Sequence, residues 1–79
     1  MNLPMAPSRS ATGGPPERLG ANLRRARRER QLTQEQVAAR SGVHATEVSR
    51  IESGKRDPRA STVVRLAEAI GVPPGQLLA

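Results

Sequence analysis

Apolar residues recur along this chain in short helical stripes separated by glycine and proline. Beyond Glu17, residues Leu19, Leu23 and Ala26 fall at spacings of four and three, on one face of a helix expected to run to about Gln31. Pro16 suits its first turn, where a missing backbone N–H costs nothing. Thr33 followed by Gln36 is a capping box, in which each side chain satisfies a backbone N–H at the start of a second helix. That helix continues through Val37 and Ala38 to Gly42, which can take the left-handed conformation that ends a helix in a sharp turn. A third helix follows almost at once, over about Ala45 to Ser53, burying Val48 and Ile51 and ending at Gly54. Pro58 interrupts the next stretch. Ser61 is the expected cap of a fourth helix, where Val63, Leu66, Ala67 and Ile70 repeat at i, i+3, i+4 and i+7. Gly71 stops it, and Val72-Pro73-Pro74-Gly75 turns the chain into a last short helix with Leu77 and Leu78. No segment alternates as a strand would.

The pattern predicts an all-α fold, a compact bundle of four to five helices in which two short helices flank a tight glycine turn. Residues 1–16 hold Pro4, Pro7, Gly13, Gly14, Pro15 and Pro16 with one charge, Arg9, and are expected to form a disordered tail. Residues 17–79 make one domain. A domain of about 60 residues buries only about 60% of its unfolded surface, so a second copy of the chain is an expected partner.

Charge points to the other partner. Thirteen Lys and Arg against seven Asp and Glu give a formal net charge of +6, which favours a polyanion, because neutralising phosphates releases condensed counterions. Phe, Tyr and Trp are absent, which argues against readers that stack unpaired bases on aromatic rings and leaves duplex DNA. With no cysteine and one histidine, His44, there is no expected metal site. No nucleophile and base pair up and no glycine loop cradles phosphate, so neither catalytic residues nor a cofactor are expected, and the chain is read as no enzyme. No apolar run reaches the roughly 18 residues that span a bilayer, and no signal or transit pattern is present; the expected location is cytoplasmic, without membrane contact.

Several fragments occur in order: Gln31-Leu32-Thr33-Gln34-Glu35-Gln36-Val37-Ala38, Ser41-Gly42-Val43, Val48-Ser49-Arg50-Ile51-Glu52-Ser53-Gly54, Pro58, and Leu66-Ala67-Glu68-Ala69-Ile70-Gly71-Val72. With these spacings, the chain from about Leu19 to Leu78 closely resembles the phage-repressor and Cro family, the XRE type of helix-turn-helix regulator. The resemblance implies a lambda repressor-like domain whose third helix is the recognition helix. Val37, Ala38, Val43, Val48 and Ile51 then lock the second helix to the third. Leu19, Leu23, Val63, Leu66 and Ile70 close the other side of the core.

Candidate contacts follow from that placement. The first residues of a recognition helix reach base edges in the major groove, which nominates His44, Ala45, Thr46, Glu47 and Arg50. Thr46 offers a methyl and a hydroxyl to thymine, Arg50 a fork to guanine O6 and N7, and Glu47 an acceptor for cytosine N4. His44 stands where the family often has a Ser or Thr cap, and Ala45 where it often has a longer polar side chain, so readout shifts toward Thr46 and Arg50. Gln34, in the first turn of the second helix, sits where the family contacts DNA and where free N–H groups favour a phosphate. Ser49, Ser53, Lys55, Arg56 and Arg59 are the other expected backbone contacts, positioning without reading sequence. The resemblance pairs Glu52 with Arg27 as a structural ion pair, and both are set apart from DNA contact.

The expected function is therefore a sequence-specific regulator of transcription, repressor or controller in type, bound as a homodimer to a palindromic operator in double-stranded DNA. Leu77, Leu78 and the surface around them are the expected dimer interface. With no ligand domain in the sequence, control would come from concentration, dimerisation or a protein partner such as RNA polymerase. The alternative is a protein-interaction module or coactivator that keeps the fold without specific DNA binding, whose recognition helix would be neutral.

Overall fold

The computed structural model describes residues 14–79, which form five helices: α1 (Pro15–Glu29), α2 (Gln34–Ser41), α3 (Ala45–Glu52), α4 (Ala60–Ile70) and α5 (Pro74–Leu78). Most of the expected tail, residues 1–13, lies outside the described residues, but Pro15 and Pro16 open α1. Proline has no N–H to leave unsatisfied in a first turn, so the helix begins two residues before Glu17. Glu17 turns back to accept a hydrogen bond from the Gly14 N–H at 2.8 Å.

α1 ends earlier than expected. Arg30 caps it, and Gln31 takes φ 58, leaving the helix through the left-handed region. The capping box of α2 is present in full: Gln36 N–H donates to Thr33 Oγ1 at 3.0 Å, and Thr33 N–H to Gln36 Oε1 at 2.8 Å. Gly42 (φ 76) ends α2, and only two further residues precede α3. α4 starts at Ala60 with Arg59 as its cap, and Ser61 lies inside the first turn without capping. Ala60 is itself the best helix former, and the helix extends back to it from the apolar stripe without a side-chain cap.

The core gathers the inward faces of all five helices. Leu23, Val37, Val48, Ile51, Leu66 and Leu77 are fully buried at its centre. Leu32 and Val72, which fall in connecting segments and so show no periodicity, are buried with them. Leu77 therefore belongs to the core rather than to an outer interface, while its neighbour Leu78 is 62% exposed. Asn22 on α1 secures α5 by donating to the Leu77 carbonyl at 2.9 Å.

Two features fix α3. α1 crosses its C-terminal end at Gly20, where a Cβ would run into the Ile51 carbonyl oxygen and lie 2.8 Å from that of Glu52. On the other side Arg65, from α4, donates to the carbonyls of Ser41 and Gly42 at 3.3 and 3.5 Å, satisfying the open end of α2 beside the turn. The turn between α2 and α3 is thus tied to a third helix. Among the described residues, no helix is long and apolar enough to cross a membrane.

Candidate nucleic-acid interface

α3 buries Val48 and Ile51 and turns the opposite side outward. Thr46, Ser49, Arg50 and Ser53, at i, i+3, i+4 and i+7, form one exposed stripe along it. The Arg50 guanidinium, like the Lys55 ammonium and the Arg59 guanidinium in the following loop, makes no hydrogen bond or ion pair among the described residues. Their donors are open to an incoming ligand. Ser53 differs, since its hydroxyl donates to the Arg50 carbonyl at 3.0 Å and helps finish the helix.

At the N-terminal end, His44 precedes the first turn without a side-chain capping bond and is exposed, and Ala45 is half-buried. Both border a shallow notch shared with Ala38, Ala39, Gly42 and Val43. Glu47 is drawn toward the loop, its Oε1 lying 3.3 Å from Arg56 Nε, with both side chains partly exposed. A candidate base contact and a candidate phosphate contact are thereby coupled to each other. Nothing in their spacing signalled it.

The other end of α3 carries the polar anchor. Arg27 donates to Glu52 through Nε at 2.6 Å and Nη2 at 2.9 Å, and through Nη1 to the Leu32 carbonyl at 2.8 Å. The hydrogen bond to Glu52 raises the Arg27 pKa above the ordinary arginine value; burial opposes this, and the charges of Glu52 and Glu35 add to it. Gln34 joins the pair by donating from Nε2 to Glu52 Oε1 at 3.1 Å. One of its two amide hydrogens is taken in this way, and the other remains for a ligand. The sequence placed Gln34 correctly at the start of α2, but its bond to Glu52, 18 residues on, has no sequence signal.

This anchor floors a cleft of about 240 Å³ walled by Ser49 and Ser53 from α3 and by Arg24 and Arg28 from α1. The structure thus brings Gln34, Ser49 and Ser53 together over the Arg27–Glu52 pair. Lys55 and Arg59 stay apart in the exposed loop. Arg24 and Arg28, which were not among the candidate contacts, border the same space. The signal for them was present: positions 24, 27 and 28 share one helical face.

A helix pair joined by a left-handed glycine, with the second helix presenting an exposed polar face that carries Arg50, defines a helix-turn-helix protein. The family model described as helix-turn-helix matches residues 23–77, and the chain belongs to that family, in its XRE type, a class of DNA-binding transcriptional regulators. Over 58 residues it is 50% identical to the HTH-type transcriptional repressor RghR of Bacillus subtilis (strain 168), a match covering 72% of this chain and 43% of RghR. It is 48% identical over 54 residues to the uncharacterized HTH-type transcriptional regulator y4dJ of Sinorhizobium fredii, covering 68% of this chain and 70% of that protein. Among solved structures, it is similar to the restriction-modification controller protein C.AhdI from Aeromonas hydrophila, with a TM-score of 0.76 and 31% identity over 78% of this chain and 94% of that one. The hypothetical transcription factor NHTF from Neisseria gives a TM-score of 0.80 and 30% identity over 84% and 76% of the two chains. The chain spans less than half the length of RghR.

Proposed function

We propose that this chain regulates transcription by laying α3 in the major groove of duplex DNA, as a cytoplasmic, non-enzymatic protein. The observation that carries the reading is the exposed stripe of Thr46, Ser49, Arg50 and Ser53, with an unpaired guanidinium at Arg50. Thr46 and Arg50 read bases, and His44 and Ala45 border that contact. Gln34, Ser49, Ser53, Lys55 and Arg59 hold the sugar-phosphate backbone, and Arg56 does so while neutralising Glu47. Arg27 and Glu52 keep the reading helix in place.

One α3 covers only a few base pairs, so a homodimer on a palindromic site completes the reading. A small apolar groove bordered by Pro58, Val64, Pro74 and Leu78 is the surface that supports a second copy. With Leu77 committed to the core, Val64 joins Leu78 in the proposed interface. RNA polymerase remains a proposed protein partner.

Selection of bound duplexes from a random pool tests the function, with the wild-type chain compared with Arg50→Ala and Thr46→Ala. A defined, symmetric motif that relaxes at particular positions in each variant is expected. An unchanged motif in both variants removes the readout assignment. A salt titration of binding with a log–log slope near zero favours the protein-interaction alternative over DNA binding.

A further inference from the structure

Two arginines of α1 stand beside the proposed DNA-reading surface without a role. Arg24 and Arg28 are one turn apart on α1 and exposed, and they wall the cleft whose opposite wall is Ser49 and Ser53 of α3. Acidic groups nearby are already engaged. Glu52, at the floor, accepts two hydrogen bonds from Arg27 and one from Gln34. Around the wider groove on the far side, Glu29 lies 3.9 Å from Arg30, and Glu17 accepts from the Gly14 N–H. Neither Arg24 nor Arg28 forms an ion pair among the described residues. The floor is close to neutral, and the two guanidinium groups add about two positive charges at the rim, next to the one remaining amide hydrogen of Gln34.

We propose that Arg24 and Arg28, with Gln34, form a phosphate-binding site on α1 that holds the DNA strand running past the C-terminal half of α3. The site rests on the reading of α3 as the groove-binding helix. A strand flanking α3 on its Ser49 and Ser53 side passes the mouth of the cleft, and forked guanidinium donors match phosphate oxygens. The first helix then grips the backbone as well as packing the core. Because the contact is to phosphate, it strengthens binding to every sequence alike and reads none.

The test uses the full chain and the duplex selected by the wild type. Each phosphate contact contributes about 0.9 to the log–log salt slope, so Arg24→Gln/Arg28→Gln makes the slope shallower by about two. At physiological salt the same loss lowers affinity on the order of thirtyfold, on selected and unselected duplexes alike. Arg24→Lys/Arg28→Lys keeps the charge and most of the slope. The control is Arg30→Gln/Arg40→Gln, which removes the same charge away from the cleft; Arg30 lies about 200° around the helix from Arg28. It is expected to leave the slope unchanged. A wild-type slope in Arg24→Gln/Arg28→Gln, or an equal loss in the control, overturns the site while leaving groove binding by α3 intact. Absence of salt-dependent duplex binding by the wild type overturns both. Circular dichroism melting of each variant confirms that the exposed substitutions leave the fold intact.

Discussion

Arg27 and Glu52, 25 residues apart in the chain, meet through two hydrogen bonds with side chains only 10% and 4% exposed. Either charge left alone has little water to turn to. Arg27→Met or Glu52→Gln is therefore expected to lower stability by about 3–5 kcal/mol, because each strands the other member of a buried pair. Arg27→Met/Glu52→Leu removes both charges and is expected to recover much of that loss. Urea unfolding at neutral pH measures the three variants, and equal losses in all of them would show that packing, not charge pairing, is at stake.

The same pair predicts the alkaline side of the stability profile. The hydrogen bond to Glu52 raises the folded-state pKa of Arg27 above its unfolded value. Its contribution is fully present below the unfolded value and is lost only as pH rises through the still higher folded one. The chain contains no cysteine or tyrosine to titrate earlier. The urea midpoint is expected to stay level from about pH 8 to about pH 10. A decline across that range would have to come from another group, since a guanidinium, paired or not, stays charged there.

Gly20 reverses an ordinary rule. Glycine to alanine inside a helix normally gains about 1 kcal/mol, since alanine is the better helix former. Here a Cβ meets backbone oxygens of Ile51 and Glu52, which cannot swing aside as a side-chain tip would. Gly20→Ala is expected to destabilise by about 1–3 kcal/mol. It should also weaken DNA binding at temperatures where the variant is folded, by displacing the end of α3. Thermal unfolding and gel shift read the two effects, and a raised melting temperature would refute the close crossing.

Arg56 and Glu47 are expected to behave as a unit. Removing Arg56 deletes a positive charge and also leaves Glu47 unneutralised on the helix proposed to face the groove. Arg56→Gln should therefore weaken DNA binding more than Lys55→Gln, which removes one charge from an unpaired side chain. Glu47→Gln in the Arg56→Gln background should restore part of the loss. Fluorescence anisotropy at fixed salt compares the four proteins, and equal effects of Arg56→Gln and Lys55→Gln would dissolve the coupling.

Local physics made the helices and their punctuation legible in sequence. A 3.6-residue period, a Thr33–Gln36 cap and a left-handed Gly42 each act within three or four residues, so a one-dimensional reading can find them. Net charge and the absence of aromatic residues narrowed the partner for a similar reason, since both are sums over the chain. The resemblance supplied the Arg27–Glu52 pairing, which spacing alone does not give.

Choices between chemically equivalent residues needed the tertiary structure. Leu77 and Leu78 are identical neighbours, yet docking of α5 against α1 buries the first and leaves the second in solvent. Arg27 and Arg28 are equally basic, yet the rotation of α1 about its axis sends one beneath α3 and the other to the rim of the cleft. Gln34 meets Glu52, Glu47 meets Arg56, and Arg65 reaches the Ser41 carbonyl only because separate helices bring them within a few ångström. The sequence by itself determined which segments are helical and where the chain turns. Their relative rotation and docking, set by how side chains from distant segments fill one core, decided which polar groups pair and which stay open to solvent.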